Sequence, residues 1–240
     1  MTYNFLLQIN FILFAAIFLF CLFRNFNFNI ILVGLTYLLP LIPLGLGGNQ
    51  TERFLIVSYS NLIFGIIEVV FFTLTERPED IKFDKTYLRQ LFGHVLPIVV
   101  ALIGMSFVSR ATLTPISKSE VLLIIFLFIF GSILRIIAIS QLGVLRFKFN
   151  IAFRERQTLK TDQLHGYVRH PTYTAMMLVI LAYAVTTHSW VVGTIGTLSA
   201  LFGFQYRIYF EELALKEIFG DKYETYRSQT PMWLPFLNWK

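Results

Sequence analysis

The chain has 240 residues, 56% of them hydrophobic and only 14% charged, with a mean hydropathy of +0.66. A soluble domain carries about 25% charged residues, so the composition excludes a soluble globular protein and reads as an all-α, polytopic membrane helix bundle. The net charge of +6 reads as basic loops on one side of a membrane rather than as nucleic-acid binding, and Cys21, the single cysteine, excludes an intramolecular disulfide or a multi-Cys zinc site.

In chain order, apolar runs predict about seven spans, near residues 5–23, 30–47, 54–74, 91–108, 121–141, 173–187 and 190–206. The first lacks the basic lead and small-residue cleavage site of a signal peptide, so it is read as a span. The second contains Pro40 and Pro43 and is expected to be kinked or short. Seven spans with the N-terminus outside put 16 Lys and Arg residues inside. Arg53, Arg110 and Lys118 fall outside, and Arg135 falls within a span. That bias predicts a cytoplasmic C-terminus. Residues 76–89 mix four acids with four bases and read as a solvated connector. Asn61, Glu68, His94 and Arg135 lie within spans, where they either line a cavity, pair with one another or hold the bundle together. Four scattered histidines without a His-x-x-x-His pair predict no metal. The chain divides into an N-terminal bundle, 1–147, and a C-terminal region, 148–240, which opens with the longest polar segment.

From His170 to Tyr206 the sequence has no Asp, Glu, Lys or Arg. A single helix of that length would run about 55 Å, against a hydrocarbon core of about 30 Å. The segment must therefore fold back near His188–Ser189. Such a hairpin returns Arg207, Glu211 and Glu212 to the face where Arg169 and His170 begin. Pro171 suits the first position of a helix, with His170 at its cap. The free N–H groups there, beside Arg169, suit an anion. Arg207 and Glu211 are four apart on one helix face, and Phe219–Gly220 reads as a helix stop. Gly193, Gly196, Ala200 and Gly203 read as close helix packing. The aromatic tail with Pro231, Trp233, Pro235, Phe236 and Trp239 suits a membrane interface or a flap over a site.

Thr158-Leu159-Lys160-Thr161, Arg169-His170-Pro171-Thr172-Tyr173, then Arg207, Glu211-Glu212, Leu215, Phe219-Gly220, Tyr223, Tyr226 and Pro235-Phe236 together resemble the isoprenylcysteine carboxyl methyltransferase family, integral-membrane methyltransferases related to phospholipid N-methyltransferases. The resemblance covers the chain from Gln157 onward. It implies S-adenosylmethionine bound in a cytoplasm-facing pocket, with contacts at Thr158, Leu159, Lys160, His165, His170, Pro171, Thr172, Tyr173 and Glu211. It further implies Arg207 on the substrate carboxylate. The family usually has Gly and Tyr where this chain has Gln163 and His165, and a Gly where Ala175 stands.

Methyl transfer from a sulfonium to a carboxylate needs no general base and no metal. It needs positioning and a cation to hold the nucleophile. An amine acceptor would add a base, for which Glu212, Glu211 and His165 are the candidates. The expected function is therefore carboxyl O-methylation of an isoprenylcysteine-like or other lipidic acceptor entering from the bilayer. Phospholipid or amine N-methylation, an NADPH-dependent sterol-type reductase and a non-catalytic membrane protein are the alternatives. The Phe-, Ile- and Asn-rich composition favours a bacterial inner membrane over the endoplasmic reticulum.

Overall fold

The computed structural model describes residues 3–42, 52–76, 81, 83–142 and 158–235. Within them every element is helical: α1 (Tyr3–Arg24), α2 (Phe28–Leu38) continued by a 3-10 turn (Leu39–Leu41), α3 (Glu52–Thr75), α4 (Lys85–Gln90), a π-helical turn (Leu91–Val95), α5 (Leu96–Ala111), α6 (Lys118–Leu142), α7 (Leu164–Tyr167), α8 (Pro171–Thr186), α9 (Trp190–Phe219) and α10 (Asp221–Gln229). The expected all-α bundle forms because a helix pairs its own backbone polar groups, which lipid cannot do. Its starts are set locally. Asn27 Oδ1 accepts from the Ile30 N–H at 2.9 Å, Asp84 Oδ1 from Tyr87 at 2.8 Å and Ser189 Oγ from Val192 at 3.4 Å.

Four helices are long and apolar enough to cross a membrane: Asn4–Arg24, Glu52–Thr75, Lys85–Ala111 and Lys118–Leu142. Phe28–Leu41 and Pro171–Thr186 are apolar but shorter. The apolar half of α9 runs straight into Arg207, Glu211 and Glu212. The expectation of seven spans thus meets seven helical segments, of which four qualify on length and apolarity. Pro40 in the 3-10 turn accounts for the short second segment. The outer surface carries exposed Phe20, Phe23, Phe126, Phe130 and Phe202, a covering suited to lipid. The end of the second expected span lies outside the described residues, as do the 147/148 boundary, the polar segment as far as residue 157, Phe236 and Trp239.

Helices α1 and α2 pack on α3, α6 lies along α8, and α5 and α8 flank α9. Lipid supplies no hydrophobic drive between helices, so close approach and interhelical hydrogen bonds hold the bundle. A Cβ on Gly196 would lie 2.6 Å from Met105 Sδ. Gly193, Gly196, Ala200 and Gly203 are all buried along α9, which bears out the packing role read from their spacing. At one end of the bundle the fully buried Arg53 donates to the Thr186 carbonyl at 3.0 Å and lies 3.3 Å from Glu120. Arg110 donates to the carbonyls of Pro40 and Ile42, each at 2.8 Å. Two cations expected in outer loops are therefore cross-ties between helix ends.

The hairpin forms where its length required. Helix α8 stops at Thr186, His188 turns the chain with φ 50°, and Ser189 caps α9. The polar start of α8 and the polar half of α9 meet at the other end of the bundle.

Candidate active site

Helix α9 carries Arg207 and Glu211 on one face, and the guanidinium Nε donates to Glu211 Oε1 at 2.8 Å. From α8, the Tyr173 hydroxyl donates to the same oxygen at 2.7 Å. Gln90, at the end of α4, accepts from Arg207 at 3.4 Å. Arg207 is buried, so its charge is opposed mainly by Glu211. Burial alone would raise the Glu211 pKa. The adjacent guanidinium outweighs it and holds the carboxyl below its ordinary value.

Glu212 points to a second cluster. It accepts from Arg169 Nε at 2.9 Å and lies 3.2 Å from His170 Nε2, with Arg227 Nε at 3.8 Å. Burial again opposes ionisation. The His170 and Arg169 contacts override it and bring the Glu212 pKa down to about 2. A carboxylate so held is a poor proton acceptor at neutral pH, which weighs against the base role considered for it. Arg169 was expected to help receive an anion. Instead it is buried and also donates to the carbonyls of Arg227 and Thr230. It ties α8, α9 and α10 together. Pro171 starts α8 and His170 stands at its cap, as the sequence implied, although the His170 side chain makes no capping bond.

The tail lies over this helix start. The backbone N–H groups of Arg169 and His170 donate to the carbonyls of Pro231 and Met232 at 2.8 and 3.2 Å, and Thr174 Oγ1 to that of Trp233 at 2.7 Å. Residues 231–233 therefore pack over the start of α8 and take up the N–H groups of its cap residue and the residue before it. Helix α9 ends at Phe219, and Gly220 follows with φ 52°, a conformation that favours glycine.

Thr158, Leu159 and Lys160 run along the segment before α7, with Thr158 exposed and the other two half-buried. Lys160 pairs with Asp162 at 2.8 Å. Gln163, where the family usually has Gly, adopts φ 55°, ψ −131°, so the chain keeps a glycine conformation without the glycine. His165 is buried, and its Nδ1 has no hydrogen-bond partner. Burial, with His170 and Lys160 nearby, pushes its pKa down to about 4. Its carbonyl accepts from the Tyr226 hydroxyl.

Arg207 and Tyr173 also line a cavity of about 100 Å³, set between α2, α3, α5, α6, α8, α9 and the π-helical turn. Its wall is mostly apolar, including Leu32, Val33, Phe72, Ile98, Met176 and Phe204. Leu32, Val33, Phe72 and Val99 are half-buried, so the lining from α2, α3 and α5 is partly open to the outside. Glu68 and Arg135 line it too, paired bidentately at 2.9 and 3.0 Å and each 5% exposed. The ionisable groups of the third and fifth expected spans thus both pair and border the cavity. Gln90, which accepts from Arg207, and Tyr37, which lines the cavity, carried no signal in the sequence. His94 did, as an ionisable residue in a span, but its place beside Arg207 depends on a π-helical turn that periodicity does not reveal.

Residues 122–217 match the family model for the isoprenylcysteine carboxyl methyltransferase (ICMT) family. The chain is 38% identical over 82 residues to a methanethiol S-methyltransferase from Crocosphaera subtropica, covering 34% of this chain and 31% of that one. It is 32% identical over 109 residues to a protein-S-isoprenylcysteine O-methyltransferase from Schizosaccharomyces pombe, covering 45% and 46%. The matches thus span about a third to a half of the length of these relatives. In fold, the chain is similar to the eukaryotic intramembrane Ras methyltransferase ICMT, with a TM-score of 0.54 and 19% identity over 95% of this chain and 85% of that one. The likeness in fold reaches beyond the matched region into the N-terminal spans, where the sequence offered only apolar runs. Four apolar helices in this setting mark an integral membrane protein, and residues 122–217 are similar to the isoprenylcysteine carboxyl methyltransferase family, the resemblance that the C-terminal motifs carry.

Proposed function

We propose that this protein is a membrane S-adenosylmethionine-dependent methyltransferase acting on an apolar or lipidic acceptor. The observation that carries the reading is the position of Arg207. A buried guanidinium shares Glu211 with Tyr173 on one side and lines a largely apolar cavity on the other. Polar groups for a donor and an apolar chamber for an acceptor adjoin at one residue.

The residues present suit the cofactor. Glu211 offers a carboxylate to its ammonium or hydroxyl groups, and the buried, unpartnered Nδ1 of His165 offers a further hydrogen-bonding atom. When bound, S-adenosylmethionine supplies a methyl group on a sulfonium. The chain's own work is to position the acceptor and exclude water, which is worth up to about 7–11 kcal/mol in well-oriented reactions. Thr158, Leu159, Lys160, His165, His170, Pro171, Thr172, Tyr173 and Glu211 form the donor side. Arg207 holds the acceptor's anionic group, and a carboxylate meets that demand without losing a proton. Glu212 braces the site through Arg169 and His170. The acceptor enters from the bilayer between α2 and α5, where Leu32, Val33 and Val99 are half-buried.

The excess of Lys and Arg on the site's side supports a cytoplasmic face and C-terminus, in a bacterial inner membrane. Calorimetry on the purified protein tests the reading. S-adenosylhomocysteine should bind and NADPH should not. The reverse result would favour the reductase alternative, and binding of neither would favour a non-catalytic role.

A further inference from the structure

His94 occupies an unusual piece of backbone. Leu91–Val95 is π-helical, and such turns are frequent at functional sites. Two glycines let this turn press against α9. A Cβ on Gly93 would lie 2.4 Å from the Tyr206 ring, and one on Gly203 would lie 2.6 Å from the His94 carbonyl. The imidazole Nδ1 lies 3.0 Å from the Gly203 carbonyl. A carbonyl only accepts, so Nδ1 carries the hydrogen, and Nε2 of the uncharged ring bears the lone pair. The ring meets Tyr173 edge-on, with centroids 6.2 Å apart, packs on Phe204 at 6.3 Å, and lines the same cavity as Arg207.

His94 and Arg207 line the same cavity, and a lone pair and a guanidinium together select for a particular ligand. An ammonium can donate to Nε2 but has no favourable partner in the Arg207 guanidinium. A carboxylate suits Arg207 but has no hydrogen to give Nε2. A neutral X–H group suits both, because it donates to Nε2 and, once deprotonated, pairs with Arg207. We propose that His94 is the proton acceptor for the methyl acceptor, and that this acceptor is an apolar thiol or phenolic hydroxyl. The inference rests on the methyltransferase reading, and puts a neutral X–H acceptor in place of the carboxylate considered there. In the step, the X–H proton passes to Nε2. The freed electron pair on X forms the X–CH₃ bond as the methyl–sulfonium bond breaks, its pair remaining on the departing sulfur. The imidazolium then returns its proton to water after product leaves.

The test uses His94→Asn, whose amide can still donate to the Gly203 carbonyl while lacking any counterpart of Nε2. With hexanethiol as acceptor and S-adenosylmethionine as donor, the variant should lose about 100-fold or more in kcat, the usual contribution of a general base. The loss should shrink steadily across a series of ring-fluorinated thiophenols that are increasingly ionised at the assay pH. A second measurement needs no turnover. 4-Nitrophenol added to cofactor-free protein, below the phenol's own pKa, should bind as the yellow phenolate in the wild type and as the phenol in the variant. An equal loss on every acceptor, or identical phenol spectra, would overturn the proposal. So would wild-type protein that methylates long-chain carboxylates in preference to thiols and phenols, a result that leaves the methyltransferase reading standing. Wild-type protein that fails to bind S-adenosylhomocysteine would remove both.

Discussion

Glu212→Gln is the change whose effect the geometry defines best. The side chain is 12% exposed and receives Arg169 Nε at 2.9 Å, with His170 Nε2 at 3.2 Å. The amide keeps the shape and one acceptor oxygen but removes the charge. Hydrogen bonds to charged groups contribute about 1.5–3 kcal/mol each, so the substitution should cost about 2 kcal/mol. The titration gives a similar figure. A carboxyl brought from 4.5 down to about 2 is worth at most about 3 kcal/mol, and solvent screening on its open side lowers that to about 2. The native pKa is the depressed one. The stabilisation is therefore complete above pH 4.5 and drains away as pH falls from there toward 2. Equilibrium unfolding by SDS in mixed micelles should show the variant about 2 kcal/mol less stable at pH 6, with more than half of that gap gone by pH 3. A gap that stays constant over this range, or one below about 0.5 kcal/mol at pH 6, would refute the reasoning.

The other expectations concern Arg207, Glu211, Glu68 and Gln163. Arg207→Ala should abolish methyl transfer while weakening S-adenosylhomocysteine binding less than tenfold by calorimetry. Glu211→Gln should weaken that binding about tenfold or more, and equal losses in the two variants would reassign Arg207 to the donor side. Glu68→Gln leaves the buried Arg135 facing an uncharged partner and should cost about 3 kcal/mol in the same unfolding assay, most of it recovered in Glu68→Leu/Arg135→Met. Gln163→Gly should stabilise by about 1 kcal/mol, because φ 55° is a glycine conformation; no gain would mean that the contact from Lys160 Nζ to Gln163 Oε1 at 3.3 Å offsets the strain.

The hairpin and the Arg207–Glu211 pair were legible in the sequence because each depends on a local rule. Thirty-seven residues without charge exceed one membrane crossing, and residues four apart share a helix face. Pro171 and Gly220 marked helix boundaries for the same reason. What stayed hidden depends on register between distant helices. Glu68 and Arg135 were visible as costly residues in two spans, but that they meet is decided by how α3 and α6 settle against each other. Arg169 looked like an anion ligand because its neighbours in sequence are a helix start; the tail carbonyls and Glu212 that claim it lie some 40 to 60 residues away. The place of His94 in the cavity was hidden by the turn Leu91–Val95, since a π-helical turn shifts the face on which a residue stands.

The central claim is methyl transfer at a site whose acceptor side is Arg207. Membranes containing the protein, incubated with methyl-labelled S-adenosylmethionine, test it most directly. The account predicts label in an organic-extractable product with the wild type and none with Arg207→Ala at equal protein levels. Label incorporated equally by both, or by neither while S-adenosylhomocysteine still binds, would contradict it.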